Sequence, residues 1–210
     1  MSGTAVVPSA ARGLRERARA ELVREITLEA RRQLVSAGPR GLSLRAVARA
    51  LGMAPSALYR YFDSREDLLA VLVDEARAAL EEQTAKAAAD AAGLSPRQRW
   101  LALAAAVRDC ALRRPDEYAL AAGTGADMLT LRQPPSALRE LLADGDTAGG
   151  PLSPGLRSRL AGLAAGTDPA LTARSLLAWA QLLALAACPD EEFFGYAAEQ
   201  LADALRLPED

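Results

Sequence analysis

Ser43, Arg45, Ser56, Tyr59, Arg60, Tyr61 and Arg65 crowd one short stretch of a 210-residue chain, and they carry hydroxyls and guanidinium groups. Donors of this kind suit phosphate oxygens and the edges of nucleic-acid bases. Bond-breaking chemistry has few candidates. The chain contains no histidine, which removes the commonest general base, the commonest metal ligand and the usual partner of a serine or cysteine nucleophile. It has no glycine-rich phosphate loop and no dinucleotide fingerprint. Its acidic residues lie mostly on polar helix faces, where they read as solvated charges. Cys110 and Cys188 are far apart, fit neither a disulfide framework nor a metal cluster, and sit among apolar residues as buried thiols do. Recognition is expected, with no catalytic residue, metal or cofactor.

The elements that must position these donors are legible around them. Ser43 to Phe62 reads S-L-R-A-V-A-R-A-L-G-M-A-P-S-A-L-Y-R-Y-F, the outline of two short helices joined by a tight turn. Ser43 is placed to cap the first helix by accepting a backbone N–H. Leu44, Val47, Ala48 and Leu51 recur at helical spacing and give it one apolar face. Gly52 supplies the left-handed conformation that stops a helix without a Cβ penalty. Pro55 suits a first helical position, and the spacing predicts a second helix from Ser56 to Phe62. Small residues at its leading end let the backbone approach base edges, while Tyr59 and Tyr61 offer hydroxyls to phosphates. Leu58 and Phe62 join Leu44, Val47 and Leu51 in holding the pair together. Such a helix–turn–helix lays its second helix in the major groove of double-stranded DNA.

Charge is distributed to match. The net charge is −2, but residues 1–74 carry 12 arginines and no lysine against 8 acidic residues, a surplus of 4. The remainder carries 13 basic against 19 acidic residues, a deficit of 6. A basic head on an acidic body concentrates the electrostatic footprint at the helix–turn–helix. Residues 1–13 read as a mobile arm, and Arg12, Arg15, Arg17 and Arg19 could track phosphates or reach a minor groove. Hydrophobic residues make up 50% of the chain and charged residues 25%, the balance of a soluble globular protein. No apolar run reaches the roughly 18 residues needed to span a bilayer, and no secretory leader is visible, so a cytoplasmic location without membrane contact is expected.

No β alternation occurs anywhere, so the fold class is all-α: an N-terminal three-helix helix–turn–helix domain (14–63) and a C-terminal helical domain (64–210) for ligand binding and dimerisation. A first helix is expected over Leu14 to Ala37, with Leu22, Ile26, Ala30 and Leu34 on one side. Later helices are expected from Asp63 or Ser64 to about Ala91, from Ser95 and Pro96 to Arg113, from Pro115, over Ser136 to Ala143, and from near Leu156. Two more run from Pro169 to Ala187 and from Asp190 to Leu205. Residues 123–135 and 144–155 read as irregular, dense in glycine and proline. The segment 170–187 is apolar on most of its circumference and must be covered on most sides. It reads as a central core helix or as part of a dimer seam through about 169–205 that would bury Leu183 and Leu201. Candidate ligand-binding residues are Trp100, Leu103, Val107, Cys110, Tyr118, Met128 and Trp179, since small-molecule sites have apolar walls with few polar groups. Arg108 and Gln181, polar within apolar helices, would need partners if buried.

The order of these residues carries a family resemblance. It begins with Ala30, Leu34, Val35 and Gly38, and runs through G-L-S-L-R-A-V-A-R-A-L-G (Gly41 to Gly52) and P-S-A-L-Y-R-Y-F (Pro55 to Phe62). It closes with S-R-E-D-L-L (Ser64 to Leu69). From about Arg24 to Leu69 the chain resembles the DNA-binding domain of the tetracycline-repressor (TetR) family of bacterial transcription regulators. The resemblance implies a homodimer on a pseudo-palindromic operator that represses transcription until a small ligand in the C-terminal domain pulls the two heads out of register. It implies that Ser43 and Arg45 meet phosphates, and that Pro55, Ser56 and Ala57 form the tip entering the groove. Tyr59 would bind phosphate, Arg60 and Tyr61 base or backbone, and Arg65 phosphate where family members often carry lysine. Two departures stand out: Arg31 where an apolar residue is usual and Tyr61 where histidine is frequent. Beyond residue 90 the resemblance thins. W-A-Q-L-L-A-L (Trp179 to Leu185) lacks the histidine and glycine of one C-terminal subgroup.

The expected function is therefore a sequence-specific transcriptional regulator released from its operator by an apolar or weakly polar effector. Two alternatives remain open at this point. One is a helical enzyme that keeps a helix–turn–helix as an interaction module. The other is a dimer that binds DNA without any effector.

Overall fold

The computed structural model describes residues 9–123, 133–143, 152–164 and 166–209. Helices α1 (Ser9–Gly41), α2 (Leu44–Ala50), α3 (Pro55–Leu58), α4 (Arg65–Asp90) and α5 (Pro96–Arg113) come first in the chain. They are followed by α6 (Pro115–Ala122), α7 (Ser136–Ala143), α8 (Pro154–Leu163), α9 (Pro169–Ala186) and α10 (Glu191–Ala204). The fold is all-α, with no strand among the described residues. The chain divides into two compact units, Met1–Val73 and Asp74–Asp210, and the division falls within α4.

In the first unit the buried stripe of α1 is Ile26, Ala30 and Leu34, with Leu22 only half-buried. Leu44, Val47 and Ala48 of α2, Leu58 of α3, Phe62, and Leu68 and Leu72 of α4 complete the buried set. The helical backbone of α1 breaks at Gly38, which adopts φ +68°. Three local expectations need correction. Ser9 to Gly13 belong to α1 rather than to an arm, as a stretch rich in alanine and arginine favours; residues 1–8 lie outside the described residues. Ser43 sits at the N-cap of α2 with extended backbone, yet its hydroxyl caps nothing. It is held between buried Leu42 and Leu44, and its carbonyl accepts from the Val47 N–H at 2.9 Å. Finally, α3 ends at Leu58. Arg60 and Tyr61 donate to the carbonyls of Ala57 and Leu58 at 3.3 and 2.9 Å, the i−3 pattern of a tightened last turn. That tightening swings Phe62 into the core, where it is 6% exposed.

In the second unit the core gathers Trp100, Leu103 and Val107 from α5, Leu138 and Leu142 from α7, Trp179 and Leu182 from α9, and Ala198 from α10. Helix starts follow capping chemistry. Ser95 and Gln98 form a reciprocal capping box on α5, and the Asp168 and Asp190 carboxylates accept from Ala170 and Phe193 N–H groups. Helix α9 corrects the expectation that no segment is apolar enough to cross a bilayer. Its 18 residues have mean hydropathy 1.2 and pass by length and composition, because Thr172, Arg174, Ser175 and Gln181 interrupt the run without cancelling its mean. It packs on α5, α7, α8 and α10, and the Arg174 guanidinium donates to the carbonyls of Leu142 and Leu205. Leu183 is 4% exposed within one chain, and its carbonyl accepts the Tyr118 hydroxyl. It is core, not seam. Large apolar side chains left exposed in this unit are Leu177 on α9, Phe193 and Tyr196 on α10, Leu112 on α5 and Leu94 before it.

Candidate nucleic-acid interface

The turn between α2 and α3 is built by backbone demands. Gly52 adopts φ +66° with open space where a Cβ would stand, so its requirement is conformational rather than steric. Gly52 and Met53 N–H groups donate back to the carbonyls of Arg49 and Ala48 at 3.1 and 2.8 Å, closing α2. Pro55 then occupies the first helical position of α3. Buried Leu58 and Phe62 anchor this segment on α2, and Pro55, Ser56, Tyr59 and Arg60 face outward.

The structure sorts the expected contact residues into two groups. Arg45, Pro55, Ser56, Tyr59 and Arg60 are exposed, and Tyr59 keeps 45% of its surface open. Ser43, Ala57, Tyr61 and Arg65 are half-buried. Arg65 is engaged within its own unit: Nε donates to the Leu42 carbonyl at 3.1 Å and a terminal nitrogen pairs with Glu66 at 3.0 Å. It ties the start of α4 to the segment that enters α2. Tyr61 lies under the Arg19 guanidinium, 5.1 Å from the ring centroid, a cation–π contact that sequence reasoning did not anticipate. Nothing in the spacing of residues 19 and 61 signals it. Residues 1–73 hold 12 arginines against 7 acidic residues, so this unit carries a surplus of 5 positive charges.

The candidate ligand residues fall elsewhere, in the Asp74–Asp210 unit. Trp100, Leu103, Val107, Cys110, Tyr118 and Trp179 are all buried in its core. Trp100 donates its indole N–H to the Ala198 carbonyl at 2.9 Å. Burial pushes the Cys110 thiol above its ordinary pKa. Met128 lies outside the described residues. A recess of about 390 Å³ opens in this unit, and of the candidates Trp179 is the one on its wall. The rest of the lining includes Arg77, Glu81, Gln133, Pro134 and Arg139. The Glu81 carboxylate accepts from the Ser136 N–H at 3.0 Å and from its hydroxyl. These polar residues show no periodic signal in the sequence, because the recess forms between segments distant along the chain. Arg108 finds its partners in the Cys188 carbonyl at 2.6 Å and the Phe194 ring, whose centroid is 4.6 Å away. Gln181 is exposed.

The profile of bacterial regulatory proteins of the tetR family matches residues 26–72. The HTH-type transcriptional regulator Rv1816 of Mycobacterium tuberculosis is 41% identical over 112 residues, covering 53% of this chain and 48% of that protein. The HTH-type transcriptional regulator Mb1846 of Mycobacterium bovis matches to the same extent. The chain thus spans about half the length of the curated relatives it matches. Among solved structures, regulatory protein SCO4313 aligns with a TM-score of 0.66 at 25% identity, over 90% of this chain and 98% of that one. The matched segment contains α2, the Gly52 turn and α3 in full, so residues 26–72 are similar to the tetR-family model of bacterial regulatory proteins.

Proposed function

We propose that the protein regulates transcription, binding double-stranded DNA as a homodimer and leaving its operator when a small molecule occupies the C-terminal unit. The observation that carries this reading is the exposed polar set Arg45, Ser56, Tyr59 and Arg60, held on a two-helix frame by buried Leu44, Val47, Leu58 and Phe62. Ser56 and Ala57 lead into the groove and read bases, while Ser43, Arg45 and Tyr59 hold phosphates. Pro55 shapes the tip, and Arg60 and Tyr61 contact base or backbone. Arg65 adds a phosphate contact through whatever its tie to Leu42 leaves available. The relatives carry the names of regulators, in keeping with recognition rather than catalysis and with action in the cytoplasm.

Dimerisation is supported by the exposed apolar side chains of α9 and α10, and effector binding by the recess beside Trp179. Its lining joins an aromatic wall to Arg77, Glu81, Gln133 and Arg139, the mixture that orients a small molecule with an apolar body. The test is selection of duplexes from a random-sequence pool by the purified full chain. Enrichment of an inverted repeat with half-sites about one helical turn apart, roughly 34–36 Å, is expected. Recovery of no enriched sequence would overturn the reading.

A further inference from the structure

Every residue of α1 from Leu14 to Glu21 is exposed. Apart from Arg19 this segment has little to pack on, and such a helix is marginal in water without further contacts. Its orientation is set by the stripe it continues. Residues 15, 19, 22, 26 and 30 recur at the i, i+4, i+7 spacing of one helix face. Ile26 and Ala30 on that face are fully buried and Leu22 is half-buried. Further out, the same face changes from apolar to basic at Arg19 and Arg15. Arg19 shows where it points, since its guanidinium lies over Tyr61 in the turn that follows α3. Arg15 stands one turn beyond, about 6 Å along the helix axis. It is exposed and has no ion pair among the described residues. Over residues 14–21 three arginines stand against Glu16 and Glu21, and Glu21 is paired with Arg24 at 3.3 Å.

Resting on the DNA-binding reading above, we propose that the projecting end of α1 is a second DNA contact, gripping the phosphate backbone that flanks the half-site through Arg15. The surface is continuous with the helix–turn–helix through Arg19 and Tyr61, and its excess charge suits a polyanion. Tyr61 is thereby fixed by a residue of α1, so the arm and the readout turn act on the DNA together.

The experiment compares the wild type, Arg15→Ala and Arg15→Lys on duplexes recovered by selection, each in two lengths: trimmed to the half-sites, and extended by about 10 base pairs per side. Alanine is the best helix former, so Arg15→Ala leaves α1 intact, checked by circular dichroism. Each phosphate that a variant no longer neutralises flattens the slope of log K against log salt by about 0.9. With one such phosphate per protomer, the wild type should lose about 12-fold more affinity than Arg15→Ala between 50 and 200 mM salt on the extended duplex. On the trimmed duplex the two proteins should behave alike, and Arg15→Lys should track the wild type on both. Equal slopes on the extended duplex would overturn the proposal while leaving the helix–turn–helix reading intact. So would an Arg15→Ala effect on sedimentation alone, which would mark the arm as a contact between copies. Failure of the wild type to bind either duplex would overturn both.

Discussion

A tyrosine and a serine one helical turn apart divide the work of recognition differently. Tyr59 presents a phenol on a surface that is nearly half open, and a phosphate contact from it carries no base information. Tyr59→Phe should therefore weaken binding to every duplex by a similar factor. Ser56 stands at the leading end of α3, and Ser56→Ala should shift preference at one base pair per half-site by about 1–3 kcal/mol. Affinities across single-base variants of a selected duplex separate the two patterns. A changed preference in Tyr59→Phe would reassign that residue to base readout. At this scale the residue types were legible in the sequence, but their availability was not. Arg45 and Arg65 look equivalent among 24 arginines, yet one is exposed and the other donates to a backbone carbonyl 23 positions away.

Between elements, two connections hold the reading unit together, and each has a measurable cost when broken. Gly52→Ala places a Cβ in open space but forces an L-residue to φ +66°. The cost should be about 1–2 kcal/mol of backbone strain in urea unfolding, and Gly52→Asn should recover part of it. A neutral Gly52→Ala would show that the turn relaxes. Arg65 joins α4 to the entry of α2 through the Leu42 carbonyl. Arg65→Lys keeps the positive charge but loses the planar fork, so it should lower the thermal midpoint much as Arg65→Ala does. If both variants melt with the wild type, the Leu42 contact contributes nothing and Arg65 serves DNA alone. Helix starts at Ser95, Asp168 and Asp190 were readable because caps act over three or four residues. The end of α3 was not, because the position of Phe62 in the core tightens it.

For the whole molecule, the dimer seam and the switch are the matters to test. Leu177 is 62% exposed on α9, whereas Leu183 on the same helix is buried in its own core. Leu177→Arg should give a soluble protein that sediments as a monomer, since the unpaired charge opposes only association. Leu183→Arg should lose its fold and precipitate, having buried that charge inside one chain. A Leu177→Arg variant that remains dimeric would move the seam off this face of α9. For the switch, a tenfold loss of operator affinity needs about 1.4 kcal/mol of preference by the effector for the DNA-free state. Linkage makes this reciprocal, so a releasing ligand must bind less tightly when a selected duplex is present. Calorimetric titration of candidate amphipathic compounds with and without duplex measures both sides. Equal affinity in the two cases would rule out release by that compound.

What the sequence determined alone is local: helical periods, the glycine and proline that punctuate α2 and α3, the caps, and the order of residues from Gly41 to Leu69 on which the match to the tetR-family model rests. These are set within a few residues by backbone sterics and hydrogen bonding, so they survive without knowledge of the rest of the chain. The tertiary structure alone decided which of many similar side chains are free. It packed Trp100, Val107 and Tyr118 into a core and walled a recess with Arg77, Glu81 and Arg139. It also laid Arg19 over Tyr61. Burial and partner distances are properties of segments brought together from far along the chain. A sequence dominated by alanine, leucine and arginine gives each such residue nearly the same local signature, and only packing tells them apart.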